Sequence, residues 1–185
     1  MRFRRVAPAV NGEYDAVVYD LDGTLVHLDV DWPAVREAVA ARLRARDVAV
    51  DGADLWTLLD RAHDEGFAPV VEETMAESER AGARTAERLP LADRLPHPVP
   101  VGVCSLNAES ACHVALEMQG LDAHVDAVVG RDTVGTYKPD PEPLLHAVGL
   151  LGSAPQQTLF VGDTARDAET AERAGVPFCP AAEFD

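Results

Sequence analysis

Lysine is almost missing from this chain, cysteine is scarce, and no long apolar run occurs. Of the 16 basic residues, all but Lys138 are arginine. Cys104, Cys112 and Cys179 are odd in number and share no metal-type spacing, so they read as reduced structural thiols. The lack of a long hydrophobic stretch argues against a membrane partner. Residues 1–16 also lack the apolar centre of a signal peptide, and nothing hydrophobic enough follows Arg2, Arg4 and Arg5 to make them a targeting segment. The expected setting is therefore soluble and cytoplasmic. Positive charge is short as well: 32 acidic residues against 16 basic ones leave a formal net charge of −16. That balance disfavours a nucleic-acid partner, which needs a basic surface. The excess acid reads as a solvated, repulsive surface of the kind suited to a salty cytoplasm.

What is present is enough for a core. A hydrophobic share of 47% over 185 residues suits one domain with an insertion, or two small domains. The run "VVYDLDGTLV", from Val17 to Val26, is the most informative stretch. Val17, Val18 and Tyr19 read as a buried strand. Strand side chains alternate faces, so Asp20 and Asp22 point the same way while Leu21 points away. Two neighbouring carboxylates repel unless a cation or proton compensates, so the pattern suits a metal, acid–base work, or both.

The rhythm then changes. "DWPAVREAVAARLRAR" has an N-cap aspartate, a first-turn proline and helical apolar spacing. "GADLWTLLDRAHDEG" and "APVVEETMAESERAGARTAERL" predict two further helices, the second with a possible break near Gly82. Residues 29–96 are thus expected to form an all-helical block, closed by the proline-rich "LPHPVP". From Val99 strands and helices alternate: strands in "VPVGVCS", "VDAVVG", "TLFVGD" and "VPFCP", helices in "ESACHVALEMQG", "PEPLLHAVGLLG" and "ARDAETAERAG". Such alternation predicts an α/β fold with a parallel sheet and right-handed crossovers, which binds ligands at the carboxyl ends of its strands. The helical block interrupts this core just after its first strand, like a lid.

Four polar clusters follow strands or their loops: Asp20 with Asp22, Ser105, Lys138, and Asp163 with Asp167. Each has an ordinary reading alone. Asp22-Gly23-Thr24 could be a simple turn, Ser105 a helix-entry residue, Lys138 a solvated loop charge, and Gly162-Asp163 a strand-end turn. Their occurrence in order after successive strands is harder to dismiss. A parallel sheet can bring all four to one edge. Where arginine serves everywhere else, the single lysine in "TYKPDP" suggests a place that needs a compact ammonium.

"DLDGTL", the serine after the next core strand, "YKP" and "GDTARD" resemble the four motifs of the haloacid dehalogenase-like hydrolase superfamily, in order and spacing. The resemblance covers the α/β core, about two thirds of the chain. The helical block falls where the phosphoglycolate phosphatase-like branch carries its cap. The resemblance implies a Rossmann-like doubly wound parallel sheet over residues 1–28 and 97–185, with a small all-helical cap over 29–96. It implies a Mg²⁺-dependent phosphatase acting on a small phosphorylated metabolite, phosphoglycolate being one candidate. Asp20 would be the nucleophile, forming an aspartyl-phosphate, and Asp22 the general acid and then base. Gly23 and Thr24 would let backbone N–H groups approach phosphate, Ser105 would contact a phosphate oxygen, and Lys138 would balance charge. Asp163 would help hold Mg²⁺ with the Asp20 carboxylate and the Asp22 carbonyl, and Asp167, one helical turn on, would hold the ion directly or through one of these ligands.

The second motif departs from the family pattern, since Ser105-Leu106-Asn107 stands where Asn or Gly usually follows directly. Asn107 is read equally as a ligand contact or as the N-cap of the next helix. The stretch 91–100 is short for the helix that often precedes this strand. The scattered histidines carry no ligand spacing. Trp32 and Trp56 read as core of the helical block, and its arginines mostly as a solvated face. Asp22 disfavours a dehalogenase, and the absence of lysine from 29–96 disfavours a Schiff-base phosphonatase. A phosphomutase with the same two aspartates, or a non-catalytic module binding a phospho-ligand or partner protein, are the alternatives. Whether the protein is a monomer or homodimer is open at this level.

Overall fold

The computed structural model describes residues 13–184. The reading of Arg2, Arg4 and Arg5 lies outside the described residues. Strand β1 (Ala16–Tyr19) is buried throughout. It pairs in parallel with β4 (Val101–Cys104) on one side and β6 (Thr158–Gly162) on the other, Val17 lying opposite Val101 and Leu159. β5 (Ala127–Val129) extends the sheet beyond β4, and β7 (Phe178–Pro180) beyond β6, giving the order β5-β4-β1-β6-β7. Strands covered on both faces read as unbroken apolar runs rather than as alternation. Val17 and Tyr19 pack on one side with Val103, Leu116 and Leu159, whereas Val18 packs on the other with Leu144, Val148 and Phe160. Helix α4 (Glu109–Met118) covers the first face; α5 (Glu142–Leu150) and α6 (Ala165–Ala174) cover the second. This is the expected α/β, Rossmann-like doubly wound sheet. Strand order reverses at β1, and the crevice beyond the carboxyl end of such a strand is where ligands bind.

Between β1 and β4 the chain builds three helices around an apolar cluster of their own, including Val39, Leu43, Leu58, Leu59, Val71 and Met75. α1 (Trp32–Arg44) starts where the Asp31 carboxylate accepts the Ala34 N–H at 3.0 Å, with Pro33 in the first turn. α2 (Leu55–Asp64) starts in the same way on Asp54, which accepts the Thr57 N–H at 2.8 Å. Both caps satisfy backbone donors that a helix start leaves free. α3 (Ala68–Ala83) continues through Gly82, the expected break, and ends one residue later. A Cβ on Gly82 would meet the Asp29 carbonyl oxygen at 2.5 Å, so close backbone approach explains that glycine.

The all-helical expectation for 29–96 needs one correction. Glu87–Arg88 form strand β3, antiparallel to β2 (Val26–His27), where the chain leaves and re-enters the sheet domain. Two-residue strands have no periodicity to reveal them. A short 3₁₀ turn at Pro90–Arg94 stands in place of a full helix before β4, matching the shortness of 91–100. No helix among the described residues is long and apolar enough to cross a membrane.

Candidate active site

Asp20 leaves the end of β1 almost fully buried, with its backbone N–H on the Val161 carbonyl at 2.8 Å. The next turn depends on Gly23, whose φ of +89° is left-handed; its N–H donates to the Val26 carbonyl at 2.7 Å. A Cβ there would lie 2.9 Å from Cγ of Asp163 and closer still to one of its oxygens. The glycine therefore lets the β1 loop meet the β6 loop. Thr24 Oγ1 stands 3.5 Å from Asp163 Oδ1 across the same junction.

Lys138 arrives from the loop after β5. Its Nζ donates to Asp20 Oδ1 at 2.7 Å and to Asp167 Oδ1 at 2.5 Å, and the side chain is only 2% exposed. The Phe160 ring centroid lies 5.6 Å from the ammonium. Asp167 is held from its other side by the α6 capping box: Oδ2 accepts the Thr164 hydroxyl at 2.6 Å and the Thr164 N–H at 3.0 Å. The carboxylates of Asp20, Asp163 and Asp167 offer oxygens that all lie within 4.8 Å of one another. An all-oxygen, all-carboxylate set suits Mg²⁺. Asp163 is the exposed member with the least committed carboxylate, whereas both Asp167 oxygens already accept hydrogen bonds.

Burial pushes the Asp20 carboxyl up to about 7, against the pull of Lys138 and with the added push of Asp167. Burial alone would lower the Lys138 ammonium, but the Asp20 and Asp167 carboxylates outweigh it and hold the proton on more firmly than usual. The cation at the centre is thus kept charged. Asp22 lies outside the three-carboxylate cluster. Its Oδ1 accepts the Leu28 N–H at 2.9 Å, with His27 Nδ1 3.6 Å away. Burial is the largest influence on Asp22 and raises its carboxyl above the usual range despite those two contacts. A carboxyl that keeps its proton longer is suited to donating it.

Ser105 follows β4 and is buried; its hydroxyl donates to Asn107 Oδ1 at 3.0 Å and accepts the Asn107 N–H at 3.2 Å. Asn107 is not the N-cap of α4. Ala108 holds that position, and its N–H donates to the Glu79 carboxylate from α3 at 2.8 Å. Asp20, Asp22, Ser105, Asn107, Lys138 and Asp167 all line one cavity of about 150 Å³. Gly23, Thr24 and Asp163 are not among its lining residues, although Asp163 belongs to the carboxylate cluster with Asp20 and Asp167.

Two features of the site are not evident from sequence periodicity. Trp32 and Trp56 pack partly against the three-helix cluster, yet both also line the cavity. Arg131, after β5, is fully buried and reaches α3: Nη1 donates to Glu79 Oε1 at 2.7 Å, Nε to Glu72 Oε2 at 2.8 Å, and Nη1 also to the Leu106 carbonyl at 2.6 Å. Burial works against the guanidinium charge, but Glu79 and Glu72 overcome it and raise its pKa. The loop carrying Ser105 and Asn107 is thereby tied to α3. The arginines of residues 29–96 read as a solvated face divide: Arg42, Arg44, Arg84 and Arg88 are exposed, whereas Arg36 is half-buried and binds the Ala53 and Val50 carbonyls at 3.0 and 3.3 Å.

Residues 95–181 match the family model of the haloacid dehalogenase-like hydrolases. The chain is 33% identical to the phosphoglycolate phosphatase of Rhodospirillum rubrum, over 88% of this chain and 77% of that protein. It is 30% identical to the phosphoglycolate phosphatase of Escherichia coli, over 87% of this chain and 78% of that one. Among solved structures, a haloacid dehalogenase-superfamily hydrolase of subfamily IA from Geobacter sulfurreducens matches with a TM-score of 0.58 and 26% identity, covering 89% of this chain and 88% of that one.

Proposed function

This chain belongs to the haloacid dehalogenase-like hydrolases, as a phosphatase, and we propose that it cleaves small phosphomonoesters through an aspartyl-phosphate on Asp20 with Mg²⁺ bound. One observation carries the reading: a buried lysine joins Asp20 to Asp167 inside a cluster of three carboxylates, at the carboxyl end of the central strand. Residues 29–96 act as a cap over that strand end, with β2 and β3 as its stem.

A carboxylate oxygen of Asp20 attacks phosphorus, and the ester oxygen leaves with the proton carried by Asp22. Asp22, now a carboxylate, takes a proton from water as that water attacks the acyl phosphate and returns Asp20. Lys138 holds the nucleophile in place and offsets charge on the phosphoryl oxygens, and Ser105 donates its hydroxyl to one of them. Asp163 and Asp20, with the Asp22 carbonyl, are the residues that would hold Mg²⁺, while Asp167 keeps Lys138 in position. When bound, the ion supplies further neutralisation of the transferring group. The relatives named for phosphoglycolate make small phosphomonoesters the class to assay.

The test is phosphate release from acetyl phosphate and p-nitrophenyl phosphate, with and without Mg²⁺. It is joined by acid-quench mass spectrometry of the enzyme during turnover. The expected result is Mg²⁺-dependent release and one phosphoryl group on the peptide containing Asp20, both lost in Asp20→Asn. Full activity in Asp20→Asn would remove the covalent route.

A further inference from the structure

The catalytic cavity ends against the cap at Trp32 and Trp56. The same two indoles line a second, larger hollow of about 790 Å³ within the cap, alongside Pro33, Gly52 and Leu55. Trp32 and Trp56 are the largest side chains that line the catalytic cavity, and they are shared with the larger hollow. Apolar walls with a few fixed polar groups are the usual form of a small-molecule pocket.

The cations that line the two hollows are already engaged. Lys138 and Arg36 are the cations lining the two hollows. Lys138 is held by Asp20 and Asp167, and Arg36 by the Ala53 and Val50 carbonyls and, at 3.3 Å, by Glu37. Arg166 lies with its guanidinium 4.8 Å from the Trp56 ring centroid. The remaining charged lining consists of Asp20, Asp22, Asp54 and Asp167, all carboxylates. A carboxylate brought in on the substrate would find no uncommitted cation in this lining, only Arg166 beyond it, and would be desolvated near the Asp54 carboxylate. A neutral ring in the same place gains apolar burial and ring–ring contact.

We infer that the alcohol half of the preferred substrate is an uncharged, flat aromatic or heteroaromatic group seated against Trp32 and Trp56, not a short carboxylate such as glycolate. This rests on the phosphatase reading and specifies the substrate class of the same site.

Two phosphonates that the site cannot hydrolyse isolate the point, because they differ only at the far end. 2-Phenylethylphosphonate carries a ring where 3-phosphonopropionate carries a carboxylate. Calorimetric titration of the Mg²⁺-loaded wild-type protein is expected to give a Kd at least about tenfold lower for the phenyl compound. Trp32→Leu and Trp56→Leu should each narrow that ratio by about threefold or more. Equal or tighter binding of the carboxylate compound would overturn the inference, as would a ratio unchanged in both indole variants. Arg166→Gln tests the rival partner: selective loss of 3-phosphonopropionate binding there would make the arginine a carboxylate receptor and also overturn it. Because binding is read without turnover, an inactive protein that still prefers the ring would sink the phosphatase reading and leave the pocket assignment standing.

Discussion

Replacing Arg131 by methionine should loosen α3 from the loop that carries Ser105. The arginine and Glu79 are each 0% exposed at their side chains, and Glu72 is 23% exposed. Methionine has a similar length but no donors, so Glu79 would retain only the Ala108 N–H and the Leu106 carbonyl would lose its guanidinium partner. Removing one member of a buried ion pair costs about 3–5 kcal/mol. At about 2–4 °C per kcal/mol for a chain of this size, the melting temperature should fall by roughly 6–20 °C. The double variant Arg131→Met/Glu79→Met removes the stranded Glu79 charge as well, and Glu72, at 23% exposure, is left to water. The buried groups then left unpaired are the Ala108 N–H and the Leu106 carbonyl, about 1–3 kcal/mol each. The double variant should therefore fall well short of the sum of the two singles. Urea unfolding followed by tryptophan fluorescence and far-UV circular dichroism measures all three. An Arg131→Met protein within about 1 kcal/mol of wild type, or strict additivity in the double variant, would refute the argument from desolvation.

Three other changes probe the site and the acid limit of stability. Gly23→Ala forces a side chain into a φ of +89° and against Asp163. Strain of about 1–2 kcal/mol and a displaced Asp163 should weaken Mg²⁺ binding, and unchanged affinity by calorimetry would show that this glycine is only a turn residue. Lys138→Arg keeps the charge but cannot put one compact donor between Asp20 and Asp167; kcat should drop by roughly a hundredfold or more, and near-wild-type turnover would refute the need for an ammonium. His97 stacks on Tyr19 and shares a hydrogen bond of 2.6 Å with its hydroxyl; burial lowers its pKa. The unfolded chain then binds a proton on the acid side of about 6.5 that the folded protein resists, so stability falls as pH falls through that point. His97→Gln should flatten that part of the curve, and an unaltered pH profile of the melting temperature would exclude this histidine as its source.

Strand rhythm carried most of the fold. Apolar runs such as Val17 to Tyr19 and Thr158 to Gly162 are continuous because both faces of the sheet are covered, and Asp31 and Asp54 mark helix starts because their carboxylates fill empty donor positions. That Asp20, Ser105, Lys138 and Asp163 each follow a strand or its loop is also a local property, and parallel topology turns it into proximity. Other features depend on contacts that no local pattern encodes. Glu87 and Arg88 become a strand only because Val26 and His27 lie beside them. Arg131 and Glu79, 52 positions apart, pair only once α3 has docked beside the Ser105 loop.

Trp32 and Trp56 show the same limit in its sharpest form. Helical spacing assigns both to the apolar side of their helices, and they do pack there in part. Their second role arises because the helical block meets the sheet next to the end of β1, so that residues reading as core also line the cavity with Asp20. The docking that achieves this uses Arg131 against Glu79 and Glu72, together with Tyr137, whose hydroxyl bonds Asp60 on α2 while its ring lies 5.7 Å from that of Trp56. Substrate choice and cap attachment therefore share residues. A substitution that weakens the Arg131 contact should move the indoles as well, so Arg131→Met should reduce the phenyl preference along with stability, whereas a surface change such as Arg42→Gln should alter neither.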